Sequence, residues 1–203
     1  MLRFGLFVTV VLLCVPGMAV DCVGYKKIPA IYLEIPDWSK TVVQPREPMD
    51  LWHGNVVATL VNNFQINADV IKVDDGYCVG LKSVTAEFGY NDFVVNVDIR
   101  HTPNSCQYNA VLAHEDKHIK TYLSVVDEFK GDFQKSVYNA AQSIMPRFVK
   151  THQEIASVVE DMNNQLQVHP DLVLVKQKIH AAEEIRNKQI DREETGADLK
   201  KCG

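Results

Sequence analysis

The residues best suited to chemistry are His114, Glu115 and His118, which with Asp116 and Lys117 form an H-E-x-x-H run. On a helix, two histidines four residues apart share one face and can hold a single divalent ion, most often zinc, through neutral imidazole nitrogens. Glu115 is then placed to take a proton from water at that ion, the chemistry by which metallopeptidases hydrolyse amide bonds.

The flanking pattern is helical. Val111, Glu115, His118, Tyr122, Val125, Phe129 and Phe133 recur every three or four residues and make one stripe. Asp116, Lys117, Lys120, Ser124, Asp127 and Glu128 fall off it. Glu115 and His118 therefore belong to the inward face, with His114 at its edge. Buried polar groups without partners cost roughly 1–3 kcal/mol each, and one shared metal ion satisfies all three. The competing reading is a solvated helix with no ligand, which the charged middle residues Asp116 and Lys117 favour.

The elements that would hold this helix divide the chain near residue 103. Upstream, strands are expected over 28–35, 56–61, 64–73, 77–90 and 93–100, with Asp74-Asp75-Gly76 and Gly89-Tyr90-Asn91-Asp92 as hairpin turns. Segment 36–50, with Pro36, Pro45 and Pro48, reads as a loop. Downstream, Thr102 or Asn104 caps the active helix, Asn104 standing at capping-box spacing from Gln107. That helix runs to about Lys130, Gly131 is a place for it to kink or end, and helicity resumes to Met145. Pro146 opens another helix, on which Phe148, His152, Ile155, Val159, Met162 and Leu166 form an apolar seam. After a turn at His169-Pro170, a last helix spans Asp171 to about Glu194, with Leu172, Val175, Ile179, Ala182 and Ile185 inward. The expected fold is α+β: an N-terminal antiparallel β-sheet, the active-site helix, and a C-terminal antiparallel helical hairpin.

Residues 1–19 read as a signal peptide. Arg3 precedes an apolar run from Phe4 to Val15, and Pro16-Gly17-Met18-Ala19 offers small residues for a cut after Ala19. The residues before Cys14 and Cys22, Leu13 and Asp21, do not suit a lipoprotein signal. Residues 20–203 then form a single domain, 20–103 mainly β and 104–203 mainly α. Removing 1–19 takes away Arg3 and no acid, so the net charge of −5 becomes −6, which gives no electrostatic case for nucleic acid. No second apolar run approaches membrane length, so stable membrane insertion after signal removal is not expected. Cys22, Cys78, Cys106 and Cys202 remain, an even set in an exported chain that reads as two disulfides with three possible connectivities. The favoured pairs are Cys78–Cys106 and Cys22–Cys202, the second tying the mature ends together. A periplasmic or secreted location follows.

A catalytic zinc usually has three protein ligands. Asp127 and Glu128 point away from the metal face at 100° per residue, so the third comes from a later element. Glu154, Glu160, His180, Glu183, Glu184 and Asp191 are the candidates. Tyr138 occupies the position where peptidases with a glutamate ligand commonly carry it. His152 on the seam reads as a hydrogen-bonded core residue, His101 as a loop histidine able to line the cleft, and Tyr122 as a core tyrosine able to reach an oxyanion.

The run from Cys106 to His118, preceded by a strand and followed by helices, resembles a bacterial family of secreted zinc-dependent proteases, mostly described only as a domain without assigned function. The resemblance spans roughly residues 25–202, with a weaker echo at Ile190-Asp191-Arg192-Glu193-Glu194. It implies a zincin-like α+β fold, Zn2+ as cofactor, a peptide or protein substrate, His114 and His118 as ligands and Glu115 as base. Because of the echo, Asp191 becomes the preferred third ligand. Two functions follow: a secreted or periplasmic zinc-dependent hydrolase, a peptidase, or a non-catalytic, disulfide-stapled envelope interaction protein whose metal is structural or absent.

Overall fold

The computed structural model describes residues 21–49, 53–194 and 197–202, so the expected signal peptide lies outside the described residues. The strands are β1 (Ala30–Glu34), β2 (Ser39–Val43), β3 (Gly54–Val73), β4 (Gly76–Val97) and β5 (Arg147–Val149). The helices are α1 (Cys106–Ser143), α2 (Ile155–Gln167), α3 (Pro170–Glu194) and the short α4 (Ala197–Lys200). Among the described residues no helix is long and apolar enough to cross a membrane.

The expected antiparallel sheet is not what forms. The five strands make a mixed sheet whose path β1–β4–β2 is parallel, while β3 and β5 pair antiparallel with β4. β3 lines one side of β4, and β5, β1 and β2 follow one another along the other. β1 and β2 keep one register, Glu34 opposite Glu87 and Ser39 opposite Asp92, so they behave as one parallel strand interrupted around Pro36. Proline has no N–H to give the ladder. Across from it Gly89 takes φ 148°, and a Cβ there would lie 3.0 Å from Pro36 Cδ, so a side chain at 89 is opposed by both backbone and space. β2 lies within the segment expected to be a loop.

Gly89-Tyr90-Asn91-Asp92 is likewise not a hairpin turn. It is a bulge inside β4: Ala58 faces Phe93 and Leu60 faces Tyr90, which leaves one extra residue on β4. A second shift, between Asn67–Ser83 and Ala68–Leu81, leaves Lys82 extra. Each bulge changes the parity of the residues that face the helices. Along β4, Val79 and Leu81 are buried before Lys82, Val84, Ala86 and Phe88 between the two bulges, and Phe93, Val95 and Val97 after Asp92. A regular strand of this length that buried the outer five would turn Val84, Ala86 and Phe88 outward. The turn at Asp74-Asp75 does form and closes the β3–β4 hairpin.

α1 is continuous over 38 residues and passes Gly131 without a break. Its N-cap is Ser105, neither Thr102 nor Asn104: the Ser105 hydroxyl accepts from Tyr108 N at 3.2 Å, while Asn104 turns the chain with φ 65°. Phe133, on the buried stripe, stacks on Phe88 with centroids 4.3 Å apart. Downstream of α1, Pro146 leads into β5, which pairs with Tyr77–Val79, and not into a helix. The seam therefore starts at Ile155, and His152 is exposed, edge-on to Tyr77, instead of lying in the core.

The C-terminal helical hairpin is also corrected. α3 packs chiefly on α1 and only slightly on α2. It runs antiparallel to α1, with Asn139 bonded to Asp171 at 2.9 Å and His118 to Asn187 at 2.8 Å. Leu172, Val175 and Ile179 are buried as expected, but Ile185 is 67% exposed and Glu183 takes the inward position.

Where β4 hands over to α1, the fully covered Asp98 carboxylate accepts from Met49 N and Arg100 N, each at 2.7 Å, and from the Arg100 guanidinium at 2.9 and 2.7 Å. The Arg100 hydrogen bonds hold its carboxyl well below the ordinary range, against the opposing effect of burial. A depressed carboxyl contributes stability that is complete above its unfolded pKa, about 3.9, and is lost as the pH falls towards the folded value. The urea midpoint of the parent should therefore fall in acid below about pH 4. Asp98→Asn should start lower at neutral pH and lose less, so the two curves converge. Parallel curves from neutral pH into acid would remove Asp98 as the anchor of this corner.

Candidate metal centre

The site is built on the N-terminal third of α1. Among the buried residues of that helix are Val111, Glu115, His118, Val125 and Phe133, most of the stripe read from the sequence, with Tyr122 and Phe129 packed against the core at partial exposure. Two turns into the helix, His114 Nε2 and His118 Nε2 approach to 3.1 Å. Asp191 enters from α3, its Oδ1 3.4 Å from His114 Nε2 and 3.2 Å from His118 Nε2. These three residues form a group that could hold a metal ion.

The triangle can be tested for size. A tetrahedral zinc with bonds of about 2.0–2.1 Å keeps its ligand atoms about 3.3 Å apart. The three edges, 3.1, 3.2 and 3.4 Å, fall within a few tenths of that. Two imidazole nitrogens and a carboxylate oxygen are a donor set that zinc accepts. Three lone-pair atoms this close repel one another unless a cation or a proton lies among them. Side-chain exposure rises from 11% at His118 through 24% at His114 to 41% at Asp191, so the triangle is open on the α3 side.

Glu115 lies on the sheet side, only 3% exposed. Its pKa is pushed up to about 7, first by burial; His114 pulls it down, and Asp191 and Asp116 add to the rise. The room for its carboxylate comes from Gly54, the first residue of β3. A Cβ there would lie 2.4 Å from Val111 Cγ1 and 3.0 Å from Glu115 Oε1. No motif marks Gly54; only the packing of β3 on α1 reveals it. Asn187, one turn before Asp191 on α3, was also not singled out from the sequence. Its side chain meets His118 Nδ1 at 2.8 Å, and the only signal for it was its i, i+4 spacing from Asp191.

The other candidates lie elsewhere. Glu154 caps its own 3-10 turn through Lys150 N and Thr151 N. Glu160 is exposed on α2. Glu184 is exposed and pairs with Lys188. Glu183 is buried and accepts from the Tyr90 hydroxyl, with His180 Nδ1 3.3 Å away. His101 stands against His53, ring nitrogens 2.9 Å apart. Its pKa is lowered, first by burial and then by that neighbour. Tyr122 is partly buried beside Tyr90, with ring centroids 5.1 Å apart.

The cysteines pair differently from the favoured connectivity. The bonds are Cys22–Cys78 and Cys106–Cys202, each with Cα atoms 5.6 Å apart, and not Cys78–Cys106 with Cys22–Cys202. The strand order explains the first: Cys78, at the start of β4, lies opposite β5 and close to the chain entering β1. The second joins the first residue of α1 to the segment after α3, so it ties the helix of His114 and His118 to the helix of Asp191. The chain matches no family model, no curated protein and no solved structure.

Removing a native disulfide from a small exported domain costs about 2–5 kcal/mol. Both double variants, Cys22→Ser/Cys78→Ser and Cys106→Ser/Cys202→Ser, should lower Tm. Only the second should also weaken divalent-ion binding, read by titration calorimetry below both melting points. Equal ion binding in the two would show that the covalent tie does not help to hold Asp191.

Proposed function

We propose that this chain is an exported, zinc-dependent hydrolase that acts on peptide bonds. One observation carries the reading: a buried carboxylate, Glu115, stands beside a His114–His118–Asp191 triangle of the size zinc requires. The H-E-x-x-H run on a helix and the presence of two disulfides, which persist in oxidising compartments, support it.

His114, His118 and Asp191 would hold the ion. Zinc in such a site polarises a carbonyl and lowers the pKa of water in its shell towards about 7. Glu115 is the group that moves protons. Its place beside the triangle suits it to take a proton from the attacking water and to return it to the departing amine. Burial against Gly54 and Val111 keeps the carboxylate in one place between these steps. The side open at Asp191 is where substrate would enter.

The parent should bind close to one zinc per chain, measured by elemental analysis, and His114→Ala or His118→Ala should abolish it. Glu115→Gln has nearly the same shape but cannot take the proton. It should keep the zinc and the fold while peptide hydrolysis falls by roughly two to four orders of magnitude. Cleavage by Glu115→Gln at the parental rate would refute the mechanism. A parent that binds zinc but cleaves nothing in a broad peptide library would favour the disulfide-stapled interaction protein.

A further inference from the structure

The inward stripe of α3 changes character along its length. Leu172, Val175 and Ile179 are apolar and buried. Continuing in four-residue steps from Ile179, the next positions are Glu183, Asn187 and Asp191. Asp191 reaches the ligand triangle, and Glu183 is taken by the Tyr90 hydroxyl. Asn187 lies between them, and its carboxamide meets α1 at His118. Its Oδ1 is 2.8 Å from His118 Nδ1.

A carboxamide has one accepting end and one donating end. The oxygen is the end that faces His118, and it can only accept. His118 Nδ1 must then carry the ring proton. A neutral imidazole has one N–H, so Nε2 is left with its lone pair directed at His114 Nε2 and Asp191 Oδ1. The same bond fixes the rotation of the ring.

We propose that Asn187 is the positioning residue of the metal centre, holding His118 in the Nδ1–H tautomer and at the ring angle that presents Nε2 to the ion. α3 thus supplies both the third ligand and the group that orients the second. This rests on the metal-site reading above and adds a role that the H-E-x-x-H run does not contain. Partners of this kind typically change metal affinity by about 10–100-fold when removed.

The test uses the whole mature protein and zinc itself. Zinc affinity is measured by chelator competition for the parent, Asn187→Ala, Asn187→Leu and Asn187→Asp. The 15N shifts of His118 are recorded without metal near pH 8. Asn187→Ala and Asn187→Leu should weaken zinc about 10–100-fold and lose the pure Nδ1–H signature. Asn187→Asp accepts the same N–H and should recover most of the affinity. A purely structural role predicts that affinity follows Tm, and that Leu, which fills the space, rescues as well as Asp. Parental zinc affinity in Asn187→Ala, or an Nε2–H tautomer in the parent, overturns the proposal while leaving the metal site intact. A parent that binds no zinc overturns the metal reading itself.

Discussion

The centre depends on α3 lying antiparallel along α1. Two members of the His114–His118–Asp191 group come from one helix and need only its pitch, whereas the third comes from a helix that must be docked in register. Magnitudes show what docks it. Burying a Leu, Ile or Val side chain is worth about 1.5–3 kcal/mol, and Leu172, Val175 and Ile179 are all buried. The Arg186–Glu128 pair is partly exposed on both sides, and such surface pairs contribute roughly 0–1 kcal/mol. The apolar half of α3 therefore supplies the adhesion. The polar contacts, Asn139 with Asp171 and Arg186 with Glu128, fix the sliding register to within one turn. A slip of one turn, about 5.4 Å, would carry Asp191 out of reach of both histidines.

Beneath α1, the floor is set by the two bulges of β4. They keep Phe88, Tyr90 and Phe93 facing the helices along a strand too long for simple alternation. Tyr90 is the link between floor and site. It packs on Tyr122 and Phe93 and donates to Glu183, and burial and that carboxylate push its hydroxyl pKa up. A regular strand would turn either Phe88 or Phe93 outward, and with one of them the support of Tyr122.

The helix that carries His114, Glu115 and His118 was legible because its signal is local. A stripe at steps of three and four residues specifies a buried face whatever covers it, and Glu115 and His118 fell on that face. Sheet topology was not legible, for reasons that can be named. Gly-Tyr-Asn-Asp serves a bulge as well as a turn, since both need positive φ or exposed small polar residues, so one long strand read as two. β2 is exposed at every position and carries no alternation to find. β5 has three residues and forms only because β4 offers it an edge. The apolar pattern of α3 told which face is inward but not that α1, and not α2, covers it. Ile185 was misplaced because the stripe turns polar at Glu183, where chemistry overrides hydropathy. Cysteine pairing depends on which ends the topology brings together, and no spacing encodes that.

The electrostatics of the centre tie these levels together. The carboxyl groups of Asp191 and Glu115 meet here, and the second is almost wholly buried, which makes negative charge at the centre costly. Glu115 responds to burial and to Asp191 with a pKa near 7. A divalent ion in the triangle balances that charge and acts in the opposite direction, stabilising the ionised form of Glu115. Such an ion binds the folded chain far better than the unfolded one, because only docking of α3 brings Asp191 to the histidines. Any free energy of ion binding is therefore also free energy of α1–α3 docking. The apolar half of α3, the Cys106–Cys202 bond and the Asn187–His118 contact all act on that one equilibrium, the first two by bringing the helices together and the third by making the joined state the one that can accept the ion.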